Sequence, residues 1–120
     1  MKKILIVDDF EFFLTSAELI LKDTYEVYTA QSGQEAVEQL EQGLDPHLIL
    51  LDVVMPDMDG WVTFNRIKDI CSSKKIPIAF VTNLQGNSNI QHAMDMGAAD
   101  FIMKPYNKSD LLARIAKIIT

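Results

Sequence analysis

The most constraining feature of the chain is a pair of short runs, Ile4-Leu5-Ile6-Val7 and Leu48-Ile49-Leu50-Leu51, uninterrupted by any polar residue. A strand with one wet face alternates apolar and polar residues. A strand that does not alternate is covered on both faces, as in a parallel sheet with helices on each side. Three further runs rich in aliphatic or β-branched residues follow: Glu26–Ala30, Ile78–Val81 and Phe101–Met103. The segments between them carry helical period, so the chain reads strand-helix five times. That pattern predicts an α/β fold, a doubly wound five-stranded parallel sheet. The 120 residues suit one domain, and no linker, repeat or low-complexity tract divides residues 1–120.

The helices carry start and stop signals. Ser32-Gly33-Gln34-Glu35 reads as a capping box opening the second helix, and Gly43 ends it. The fourth is predicted to stop at Gly97, and the fifth to start at Asn107 with Asp110 in its first turn. Phe10, Phe13, Leu14, Ala17, Ile20 and Leu21 form the predicted buried stripe of the first helix. Leu111, Leu112, Ile115, Ile118 and Ile119 form that of the fifth. Phe12 and Leu19 fall on the outer side of the first helix, a candidate anchor for a partner.

Composition excludes several classes of function. A net charge of −6 gives no electrostatic footprint for direct nucleic acid binding. No apolar run approaches the ~20 residues that cross a bilayer, which predicts no membrane partner. The run after Met1-Lys2-Lys3 stops at Asp8-Asp9, short of the roughly 7–15 apolar residues of a secretory signal. The lone Cys71 excludes an internal disulfide and a cysteine metal cage. The expected location is cytoplasmic.

In an open parallel sheet, ligands bind beyond the carboxyl ends of the strands. Asp8 and Asp9 follow the first run, Asp52 the third, Thr82 the fourth and Lys104 the fifth. Three carboxylates against one lysine leave an excess of negative charge that a divalent cation would neutralise. Oxygen donors without His or Cys point to Mg²⁺. A hydroxyl and an ammonium suit the oxygens of a phosphoryl group, and an Asp in such a cluster can accept phosphate as an acyl phosphate.

These residues stand within Ile4-Leu5-Ile6-Val7-Asp8-Asp9, Leu50-Leu51-Asp52-Val53-Val54-Met55-Pro56-Asp57-Met58-Asp59-Gly60, Phe80-Val81-Thr82 and Lys104-Pro105. In this order and spacing they resemble the response-regulator receiver domains of two-component signalling, chemotaxis receivers among them, over nearly the whole chain. The resemblance implies a flavodoxin-like fold with strand order 2-1-3-4-5. It implies that Asp52 is the phosphoacceptor. Asp9, Asp52 and the Val54 carbonyl would hold Mg²⁺, with Asp8 acting largely through water. Lys104 would contact the phosphoryl group. Thr82 would move to bond it, and Phe101 would serve as the switch aromatic, turning inward. Lys104-Pro105 is often cis in the family. The implied donor is a histidine kinase or histidine phosphotransfer protein. The implied output, a further domain or a downstream protein, reads the face made by the fourth helix, fifth strand and fifth helix. Such a domain is a switch that catalyses only its own phosphorylation and slow dephosphorylation, and is not otherwise an enzyme.

Three positions depart from the family's habit. Asn83 stands where a small residue is usual, and Val54 and Leu84 are apolar where one is often polar. Gly60 reads as a turn and helix-start residue, His47 as a surface-loop histidine, and Trp61 as packing at the start of the third helix. Other readings meet obstacles. An aspartate-based phosphatase places a second Asp two residues after the nucleophile, where this chain has Val54. A flavin carrier needs a Ser/Thr/Gly-rich phosphate loop where this chain has Asp8-Asp9-Phe10-Glu11. A degenerate receiver would have lost site residues that are present here.

Overall fold

The structure, a computed structural model, describes residues 1–119. Ten elements alternate: β1 (Lys3–Val7), α1 (Glu11–Leu21), β2 (Glu26–Ala30), α2 (Gly33–Glu41), β3 (Leu48–Leu51), α3 (Gly60–Lys74), β4 (Ile78–Thr82), α4 (Asn87–Met96), β5 (Asp100–Met103) and α5 (Lys108–Ile119). All strand pairs are parallel and the order is β2-β1-β3-β4-β5. The predicted strands are therefore found. The differences are a residue added at Lys3, at Thr82 and at Asp100.

The uninterrupted apolar runs explain themselves in section. Ile4 and Ile6 pack toward α1 and α5 with Leu48, Leu50, Val81 and Ile102. Leu5 and Val7 point the other way, toward α2, α3 and α4, with Ile49, Leu51, Ile78 and Phe80. Each fully buried Leu or Ile contributes about 1.5–3 kcal/mol, so both faces of the sheet hold the fold together.

Most end signals do what their chemistry predicts. The Ser32 hydroxyl accepts the Glu35 N–H at 3.1 Å, one half of the capping box. Gly97 closes α4 in the left-handed conformation, and Asn107 Oδ1 accepts the Asp110 N–H at 2.7 Å. The stripe of α1 needs correction. Leu14, Ala17 and Leu21 are buried, but Phe13 and Ile20 are only partly so and Phe10 is 54% exposed. Phe10 is the N-cap, in extended backbone before the first turn, and so does not share the face its spacing suggests. His47 is exposed as expected, yet it pairs with β1: its Nδ1 accepts the Lys3 N–H at 3.0 Å and its own N–H donates to the Lys3 carbonyl. Buried Cys71 has its thiol pushed up to about 11 by desolvation, which keeps it protonated.

Candidate functional site

Register decides what meets at the carboxyl edge of the sheet. Val7 pairs with Leu51, so Asp8 and Asp52 leave adjacent strands side by side, and Thr82 pairs with Met103, immediately before Lys104. The strand order reverses between β1 and β3, where such sheets open a crevice. The cleft there measures about 200 Å³ and is lined by Asp8, Asp9, Asp52, Lys104, Val54 and Asn83, with Phe10 and Phe13 on one wall.

Asp8, Asp52, Thr82 and Lys104 are buried and Asp9 is exposed. One carboxylate oxygen from each of Asp8, Asp9 and Asp52 lies within 4.8 Å of the others. Three convergent hard-oxygen donors match the needs of Mg²⁺. Lys104 Nζ donates to Asp8 Oδ2 at 2.5 Å and stands 3.6 Å from Asp52 Oδ2. Asp8 Oδ1 accepts the Phe10 N–H at 3.0 Å, so both Asp8 oxygens already have protein donors. Asp52 Oδ1 accepts the Val53 N–H at 2.8 Å.

Desolvation raises the Asp52 carboxyl above its ordinary value. Lys104 pulls it back, Asp8 pushes it up, and the Thr82 hydroxyl and Val53 amide favour the ionised form. Thr82 Oγ1 also accepts the Leu84 N–H at 3.2 Å.

The loop after Asp52 is held by Gly60, whose N–H donates to the Val53 carbonyl at 2.7 Å. A Cβ on Gly60 would fall 2.2 Å from the Asp52 carbonyl oxygen, so this glycine permits a close approach beyond its place in a turn. Trp61 follows, packed at 4.8 Å on Phe80 and 4.6 Å from His92, as its reading as a packing residue expects. Phe101 is 7% exposed, with its ring 6.4 Å from that of Phe80, so it already lies inside. The Lys104-Pro105 peptide is cis.

Two features were not foreseen. Phe13, assigned to the core, instead presents its ring to Lys104, with the centroid 3.8 Å from Nζ. Leu84 packs partly buried against the core and does not line the cleft, whereas Val54 is 61% exposed on its wall. The strand-end pattern carried no signal for either.

Fold and site together define a class. The chain belongs to the response regulator receiver domain family, which matches residues 4–116. Such domains are signalling switches. The response regulator PleD of Caulobacter vibrioides is 37% identical over 117 residues, covering 97% of this chain and 26% of that protein. The transcriptional regulatory protein CrdR of Helicobacter pylori is 37% identical over 118 residues, 97% of this chain and 54% of that protein. The chain thus spans from about a quarter to about half of the length of these curated relatives. Among solved structures, the chemotaxis protein CheY4 of Vibrio cholerae superposes with a TM-score of 0.90 at 29% identity, over 98% of both chains. A beryllofluoride-activated DrrB receiver domain gives 0.86 at 28% identity, over 99% of this chain and 97% of that one. Among the described residues no helix is long and apolar enough to cross a membrane.

Proposed function

We propose that residues 1–120 form one phosphoacceptor receiver unit in which Asp52 takes a phosphoryl group from a histidine kinase or histidine phosphotransfer protein. The observation that carries this reading is the placement of a buried Asp52 between a lysine and two further carboxylates at the strand edge. In the transfer, an Asp52 carboxylate oxygen forms a bond to phosphorus as the phosphorus–nitrogen bond of the donor imidazole breaks. The departing nitrogen keeps the electron pair.

Asp9, Asp52 and the Val54 carbonyl would hold Mg²⁺, with Asp8 behind them and reaching it through water. The ion supplies neutralising charge to carboxylates and phosphoryl oxygens when bound. The chain's own residues do the rest. The Val53 N–H fixes one Asp52 oxygen and leaves the other, beside Lys104, as the attacking atom. Lys104 is poised to move from Asp8 toward the phosphoryl group. Thr82, already bearing on Asp52, would bond a phosphoryl oxygen and carry the change to the α4-β5-α5 face, where Phe101 lies. An output domain or downstream protein reads that face in the cytoplasm. Positioning and charge account for such a step without further enzymatic machinery.

The test is mass spectrometry after incubation with acetyl phosphate and Mg²⁺. One added phosphoryl on Asp52, absent without Mg²⁺ and absent in Asp52→Asn, is expected. Labelling that persists in Asp52→Asn overturns the assignment.

A further inference from the structure

The Lys104 ammonium has three hydrogens to place. One goes to Asp8 Oδ2 and a second side faces Asp52 Oδ2 at 3.6 Å. Over the ammonium lies the face of Phe13, 3.8 Å from the nitrogen to the ring centroid. The Lys104 side chain is only 3% exposed, so solvent contributes little there. A desolvated ammonium needs a negative partner, and the quadrupole of an aromatic face is one.

We propose that Phe13 is a positioning residue for phosphoryl transfer, its ring face holding the Lys104 ammonium in place of water. The proposal rests on the reading of Asp52 as acceptor and names what guides the lysine beside it. Phe13 itself is held by an edge-on ring contact to Phe10 at 5.4 Å. Its N–H donates to the Phe10 carbonyl, which anchors it in the first turn of α1. The choice of an aromatic has a chemical logic. A carboxylate there would bind the lysine and add to the repulsion that Asp8 and Asp9 present to an incoming phosphate. An aliphatic side chain would exclude water without attracting the charge. The ring attracts the ammonium yet offers no oxygen to compete with a phosphoryl group for its hydrogens.

The experiment replaces Phe13, site-specifically in the whole chain, by phenylalanines of increasing fluorination, which keep the shape while draining the ring face of negative potential. Two quantities are read: the initial rate of Asp52 labelling by acetyl phosphate with Mg²⁺, and the Lys104 ammonium signals by NMR in unphosphorylated protein. The rate should fall stepwise, roughly tenfold in all, the scale of losing a desolvated cation–ring contact. The Lys104 signals should move in step. Fluorination of Phe64, a buried ring stacked on Phe80 on the other face of the sheet, serves as the control and should change neither quantity. A rate constant across the Phe13 series overturns the proposal, whatever the Lys104 signals do. Wild-type protein that takes up no phosphoryl on Asp52 overturns the underlying reading instead, and shows this before any variant is made.

Discussion

The ammonium of Lys104 is closer to Asp8, at 2.5 Å, than to the candidate acceptor Asp52, at 3.6 Å. Asp8 is thus the nearer partner of a buried cation, with Asp52 the more distant one. The three acids of the cleft should therefore differ in what they do for stability.

Asp8→Ala strands a buried ammonium and should cost about 3 kcal/mol. Asp9→Ala removes an exposed charge from a repulsive cluster, so its metal-free melting temperature should rise by a few degrees while the gain from Mg²⁺ shrinks. Thermal melts with and without Mg²⁺ decide the matter. An Asp9→Ala protein that is less stable than wild type yet gains as much from the ion contradicts the account.

Asp52 should leave a signature in pH. Desolvation, offset by Lys104 and reinforced by Asp8, raises its carboxyl above the ordinary 3.8. The folded state then keeps a proton that the unfolded chain has released. Its stabilising share is complete below 3.8 and is lost as pH climbs through the raised value. Urea melts across that window should show wild type losing stability relative to Asp52→Asn. Parallel curves for the two proteins would sink the idea.

Thr82→Ala should uncouple the site from the α4-β5-α5 face. A ligand shifts a conformational equilibrium only through contacts that differ between states, and the Thr82 hydroxyl would supply one. Because Phe101 is already inside, its ring has little further to travel, and most of the response should be seen in α4. Amide shifts there on adding beryllofluoride should shrink at least twofold. Shifts of equal size in both proteins would remove Thr82 from the mechanism.

Phe12 and Leu19 are 65% and 58% exposed on α1, Phe12 in its first turn beside the acidic edge and Leu19 two turns further along, and they suit an apolar anchor for a phosphodonor protein. Phe12→Ala should slow transfer from that partner about tenfold, the loss of one interface anchor of ~1.4 kcal/mol. Labelling by acetyl phosphate should not change. If both rates fall together, Phe12 serves the fold.

Val54 gives the cleft an apolar patch that offers no hydrogen bond to a water attacking an acyl phosphate on Asp52. Val54→Asn should hasten dephosphorylation roughly tenfold by supplying one orienting contact. Leu84→Glu should matter less for hydrolysis, since Leu84 leans on the core. Decay of wild type as fast as that of Val54→Asn would point to the Asn83 amide as the group that orients water.

β1 and β3 were legible because their uninterrupted apolar runs record burial on both faces, while β2, at the edge of the sheet, showed only as a run with β-branched residues. The site was legible for a related reason: in a parallel sheet, the residues after Val7, after Leu51 and after Met103 must emerge on one edge. Helical periodicity served less well in the first turn of α1. It weighs apolarity and spacing alone, so it placed Phe10 in the core although that residue precedes the helix. It placed Phe13 there too, since no local pattern announces a charged partner brought in from β5. Gly60 shows the same limit. A glycine at a helix start reads as a turn, and its closeness to Asp52 depends on how α3 is laid against a strand end.

Two glycines make the flanks of this molecule unequal. At Gly60 a side chain would strike the Asp52 carbonyl, and at Gly33 it would fall 2.1 Å from Thr63 Oγ1, so α2 is seated on α3 and α3 on the Asp52 loop without slack. Across the sheet edge, α4 buries only Ala93 and starts without a side-chain cap. Sequence drift meets these flanks differently. Substitutions along the α2-α3 seam should disturb the loop that carries Asp52, whereas the exposed positions of α4 leave room for change. A lineage can therefore change what α4 presents to solvent while the Asp52 loop behind it stays as it was.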